Sequence, residues 1–124
     1  MTTIDKRILV ADDINRMSYE LGELYDHFGG NNVDAVGTLE SLNGIFPENR
    51  YRVTIIDPLV FTKRLPELRE LVGLVKAHSD RVVYVNSGFL PRDLGLRMDV
   101  DYDLEIGKPY DRTFIPQIKR LMKE

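Results

Sequence analysis

A chain of 124 residues with 43% hydrophobic and 30% charged side chains has the length and apolar content for one domain with a buried core, spanning residues 1 to 124. The absence of cysteine excludes disulfides, thiolate metal sites and cysteine nucleophiles, and agrees with a reducing compartment. A net charge of -3 with scattered Lys and Arg leaves no electrostatic footprint for direct nucleic-acid binding. No stretch approaches the roughly 18 uncharged apolar residues of a membrane span, and the opening MTTIDKR is unlike a signal peptide, so a cytoplasmic location and no membrane contact are expected.

Ile8 to Ala11 reads as a short buried strand. Residues 13 to 28 follow with Ile14, Met17, Leu21, Leu24 and Phe28 spaced three and four apart, an amphipathic helix stopped by Gly29 and Gly30. Val33 to Val36 makes a second strand, 38 to 47 a short helix, and 52 to 56 a β-branched strand that ends on Asp57. Pro66 suits the first turn of a helix that carries Leu68, Leu71, Val72 and Val75 inward and ends near His78. Val82, Val83 and Val85 mark a fourth strand, 90 to 98 a fourth helix and 102 to 106 a fifth strand. The last helix is expected from Thr113, because that start leaves Pro116 in the first turn, where its missing N–H costs little. His27 and His78 each fall near a helix C-terminus, where a partly positive ring suits the dipole.

Five strands alternating with five helices across short connections imply an α/β fold, a doubly wound parallel sheet with right-handed crossovers. Ligands of such sheets bind beyond the carboxyl ends of the strands, where the strand order reverses. Asp12 and Asp13 follow the first strand, Asp57 the third, Asn86 and Ser87 the fourth and Lys108 the fifth. Two carboxylates about 5 Å apart at an effective dielectric of about 20 repel by roughly 3 kcal/mol, so a bare acidic cluster is a poor stabiliser. A divalent cation removes that cost, and Mg²⁺ suits a site that combines carboxylates, water and a phosphate oxygen. Lys108 offers a point charge for a phosphoryl oxygen, and an aspartate is an established nucleophile toward phosphorus. Taken singly, Asp13 reads as a helix cap, Asp57 as a turn residue, Ser87 as a loop hydroxyl and Lys108 as a solvated lysine; four strand ends agreeing on one chemistry argue against that reading for the set.

The motifs LVADD (9 to 13), IIDP (55 to 58), VNSG (85 to 88) and GKPY (107 to 110) stand in the order and at the separations of one family. Over almost its whole length the chain resembles the receiver domain of bacterial two-component response regulators. The resemblance implies a flavodoxin-like, five-stranded sheet of order 2-1-3-4-5 and a phosphoryl group taken by Asp57 from a sensor histidine kinase or phosphotransfer protein. It also implies that Asp12, Asp13, Asp57 and the Leu59 carbonyl hold Mg²⁺. Ser87 then matches the switch hydroxyl and Lys108 the phosphoryl contact, Gly88 leaves room for the phosphoryl group, and a cis peptide bond precedes Pro109. Such a domain is a regulatory phospho-acceptor rather than a turnover enzyme, and it acts on a downstream protein or output domain.

The chain departs from the family at named places. Glu105 stands where an aromatic side chain usually completes the switch, and the loop DPLVFTKRLPEL lacks the usual proline and glycine after the phosphoacceptor. Leu59 and Phe89, both apolar, flank the phosphoacceptor where many relatives carry groups that assist water, so slow autodephosphorylation is expected. A pseudo-receiver, which signals through protein contacts without phosphorylation, is the alternative that these departures favour. A phosphatase of the haloacid dehalogenase type would want DxDx[TV] after the first strand, and ADDIN lacks it.

In DVDYDLEI (99 to 106), Asp99, Asp101, Asp103 and Glu105 alternate with apolar residues and are expected on one open face. Protection of a sheet edge explains such a strip. A docking strip for a basic partner is the alternative, because receivers use the face of the fourth helix, fifth strand and fifth helix for partners or for a homodimer.

Overall fold

The computed structural model describes residues 3 to 88 and 90 to 123. The elements are β1 (Thr3–Ala11), α1 (Ser18–Phe28), β2 (Val33–Val36), α2 (Leu39–Ile45), β3 (Asn49–Ile56), α3 (Leu65–Ala77), β4 (Ser79–Asn86), β5 (Leu104–Gly107) and α4 (Phe114–Lys123). All strand pairs are parallel, in the order β2-β1-β3-β4-β5. This is the expected doubly wound sheet. No helix among the described residues is long and apolar enough to cross a membrane.

Both faces of the central strands are buried over their carboxyl-terminal halves, which is why Val53 to Ile56 and Val82 to Val85 run without an exposed residue. Ile8 and Val10 of β1, with Val83 and Val85 of β4, pack under α1 and α4 against Leu21, Leu24, Ile115 and Ile118. Leu9 and Ala11, with Val82 and Tyr84, face the opposite layer, where Leu42 of α2 and Leu68, Leu71 and Val75 of α3 close over them. Each fully buried Leu, Ile or Val contributes about 1.5 to 3 kcal/mol, so these two layers carry most of the drive to fold. The histidines sit as expected: His27 lies in the last turn of α1, and His78, just past α3, stacks its ring on Phe46 at 4.9 Å.

Three expectations are corrected. The first helix begins at Ser18 rather than residue 13, because Asp13 to Met17 form tight turns in which Arg16 and Met17 bond back three residues to Asp13 and Ile14. A three-residue repeat buries Met17 as well as a helix would, so periodicity alone does not separate the two. The fourth helix is absent: residues 90 to 98 contain only a 3-10 turn, Pro91–Leu94, ended by Gly95 at φ 76°. A Cβ at Gly95 would sit 3.0 Å from the Arg69 guanidinium, which donates to the Leu94 carbonyl at 2.6 Å and pins this connection to α3. Among the described residues the helix count is therefore four, and the partner or homodimer face inferred from the family lacks its helical component there.

The acidic stretch is the third correction. Strand β5 begins at Leu104, not 102, because Asp99 at φ 66° and the Asp101 carboxylate, which accepts the Arg97 N–H at 2.8 Å, close a turn over 97 to 102. Asp103 accepts the Val82 N–H at 2.8 Å and pairs with Arg81 at 3.3 Å, with its side chain only 10% exposed. Asp101, Asp103 and Glu105 are each held by a separate partner, so the four acids form no open strip.

Candidate functional site

Asp12 and Asp57 leave neighbouring strands at the point where the winding reverses. The Asp57 N–H donates to the Ala11 carbonyl at 3.0 Å and the Asp12 N–H to the Val36 carbonyl at 3.3 Å, so the backbone ladder itself sets the two carboxylates side by side. Both residues are fully buried.

Lys108, at the carboxyl end of β5, bridges them: its Nζ donates to Asp12 Oδ1 at 2.8 Å and to Asp57 Oδ2 at 2.7 Å. Burial alone would lower the Lys108 pKa, but the hydrogen bonds and charges of Asp12 and Asp57 outweigh it and leave the ammonium harder to deprotonate than usual. Asp57 Oδ1 accepts from Ser87 Oγ at 2.9 Å and from the Leu59 N–H at 3.2 Å. Asp12 Oδ1 also accepts the Asp13 N–H, and its Oδ2 accepts the Tyr110 hydroxyl at 2.5 Å. Every carboxylate oxygen of the pair has a protein donor.

The structure thus brings together Asp12, Asp57, Ser87 and Lys108. Asp13 is turned outward, 3.4 Å from Arg16 in an exposed pair that contributes little. It still lines the same open depression, of about 640 Å³, as Asp57, Leu59, Ser87 and Lys108. The donors fit a hard divalent cation in chemistry, since every candidate ligand is an oxygen. As the side chains stand, no three His, Cys, Asp or Glu among the described residues are gathered closely enough to hold an ion. Lys108 already serves as counter-ion to the buried pair, and Asp13 faces Arg16.

Other sequence expectations are placed as follows. A Cβ at Gly88 would lie 3.1 Å from Leu59 Cδ1, so a larger residue there would crowd the opening. The Lys108–Pro109 peptide is cis. Glu105, where the family has an aromatic, accepts the Asn86 side-chain amide at 3.2 Å, and Asn86 Oδ1 accepts the Gly88 N–H at 3.1 Å; β5 is thereby tied to the loop that carries Ser87. Phe89 lies outside the described residues, and of the apolar pair expected to flank Asp57 only Leu59 is placed at the opening. Tyr110 is the functional-site residue that sequence reasoning gave no role; its only signal was its place in GKPY, beside the lysine.

Among solved structures, the chain is similar to a two-component response regulator from Legionella pneumophila, with 14% identity and a TM-score of 0.58 over 94% of this chain and 97% of that one. At that identity the likeness is one of fold. No family model matches the sequence, and no curated protein does.

Proposed function

We propose that this chain is a cytoplasmic, phospho-accepting receiver domain of two-component signalling, a regulatory module rather than a turnover enzyme. The supporting observation is the buried Asp57 carboxylate held between a hydroxyl and an ammonium beneath an open depression, in a receiver-like fold. In the proposed step an Asp57 oxygen attacks the phosphorus of a phosphohistidine on a kinase or phosphotransfer protein. The O–P bond forms as the P–N bond breaks, and the departing imidazole keeps the electron pair and takes a proton from water. Lys108 turns from Asp57 to the charge gathering on the phosphoryl oxygens, and Ser87 Oγ exchanges its carboxylate bond for one to the phosphoryl group. Asp12, Asp13, Asp57 and the Leu59 carbonyl would hold Mg²⁺, which when bound neutralises phosphoryl charge. The loss of the Ser87–Asp57 bond pulls on the loop that Asn86 ties to Glu105, so the two states present different surfaces at β5 to a downstream protein.

The test is intact mass after incubation with acetyl phosphate and Mg²⁺, beside Asp57→Asn and a metal-free control. One phosphoryl adduct that needs both Asp57 and the metal is expected. A single observation favours the alternative, a pseudo-receiver acting as a phosphorylation-independent interaction module: the acidic pair is already neutralised by protein donors. No adduct, under conditions that modify an established receiver, would decide for it.

A further inference from the structure

The hydrogen bond from Tyr110 to Asp12 has no part in the phosphoryl transfer described above, yet it joins residues 98 apart in sequence at 2.5 Å. The Tyr110 ring is anchored independently of that bond, packed against Phe114 at 4.7 Å between centroids, and Phe114 belongs to the core beneath α1 and α4. A phenol is a proton donor at neutral pH, so the bond runs from the Tyr110 hydroxyl to the Asp12 carboxylate. Asp12 has no exposed surface, and both of its oxygens are already engaged. Any cation that takes Asp12 as a ligand must compete for oxygens that hold donors. Lys108 has an alternative acceptor once a phosphoryl group arrives, whereas Tyr110 sits on a fixed ring and its hydroxyl has Asp12 as its partner.

We propose that Tyr110 is a positioning residue that sets the cation affinity of the site: its phenol competes with a divalent cation for Asp12 and keeps the unmodified site weakly metal-binding. This rests on the reading of Asp12 as a cation ligand. Tyr110→Phe keeps the ring and its contact with Phe114 and removes only the competing donor.

The experiment is a titration of the full chain with Mn²⁺, following the free-ion signal by electron paramagnetic resonance, for wild type and Tyr110→Phe. The variant is expected to bind about tenfold more tightly, the worth of one hydrogen bond to a buried carboxylate. Equal or weaker binding by the variant, with wild type binding, overturns the role of Tyr110 and leaves the receiver reading intact. Absence of binding by both overturns the inference together with the reading of Asp12 as a ligand. Should the variant fail to fold, wild type carrying ¹³Cζ-tyrosine supplies the measurement: of the six tyrosines, the resonance assigned to Tyr110 through its own backbone is expected to shift saturably with Mg²⁺. A Tyr110 resonance that stays fixed while the cation binds overturns the proposal.

Discussion

Lys108 is the residue on which the electrostatics of the site turn, because it is the cation that touches both buried carboxylates. Lys108→Met would leave Asp12 and Asp57 facing one another without it, at a cost of about 3 kcal/mol or more. Urea denaturation should show that loss, and millimolar Mg²⁺ should restore more stability to the variant than to the wild type, since a cation then has the gap to itself. Asp12, Asp57, Ser87 and Lys108 were legible in the sequence because each ends a strand, and a parallel sheet brings strand ends to one edge whatever the details of packing. Tyr110 was not, since the partner of a hydroxyl is fixed by tertiary packing and no periodicity reports it. Asp13 was read as a member of the cluster, and its outward turn toward Arg16 follows from side-chain rotation, which spacing does not encode.

At the scale of elements, the chain between β4 and β5 shows what replaces a helix when proline and glycine bracket too few residues. Pro91 starts a turn and Gly95 stops it, and beyond the turn's own backbone bonds side chains take over what a helical ladder would supply. Asp103 does this for β4: its carboxylate accepts the N–H of Val82, a buried residue whose partner would otherwise come from a longer β5. Asp103→Ala leaves that N–H unpaired and should cost about 1 to 3 kcal/mol. Hydrogen exchange at the Val82 amide should accelerate accordingly; unchanged protection there would contradict this account. Alternating acids read as a strand face in sequence, but one carboxylate inserted into a neighbouring ladder is enough to start the strand later. Strand β2 was placed at its bounds, and the carboxyl-terminal halves of β3 and β4 were legible as apolar runs covered on both faces, whereas their polar starts from Asn49 and Ser79 were not.

For the molecule as a whole, four tyrosines set the response to alkali, one of them Tyr102, raised by burial and then by the charges of Glu105, Asp101 and Asp99. Tyr51 and Tyr110 are pushed well above the ordinary value, by burial first and by Asp34 and Asp12 respectively, and Tyr84 is pushed up to about 12 by burial and then by the charges of Asp57 and Glu105. A raised folded-state pKa means that the folded protein keeps a proton the unfolded chain gives up. The resulting stability is complete below about pH 10 and is lost as pH rises toward the folded-state values. Tyr84 alone accounts for about 2 to 3 kcal/mol of it. Denaturation midpoints taken from pH 8 upward should therefore hold steady and then fall from about pH 10, with ionisation of these particular phenols accompanying unfolding rather than preceding it. A last consequence lies in the order of assembly. Lys108 and Tyr110 reach Asp12 across 96 and 98 residues, and Lys108 reaches Asp57 across 51. A chain emerging from the ribosome makes its first strands and its acids long before it makes the groups that neutralise them. The acidic edge is thus completed by the most non-local contacts of the site, those whose loop closure costs the most entropy. A nascent or truncated chain holds an unfinished site, and its buried acids are neutralised only with the closure of the fold.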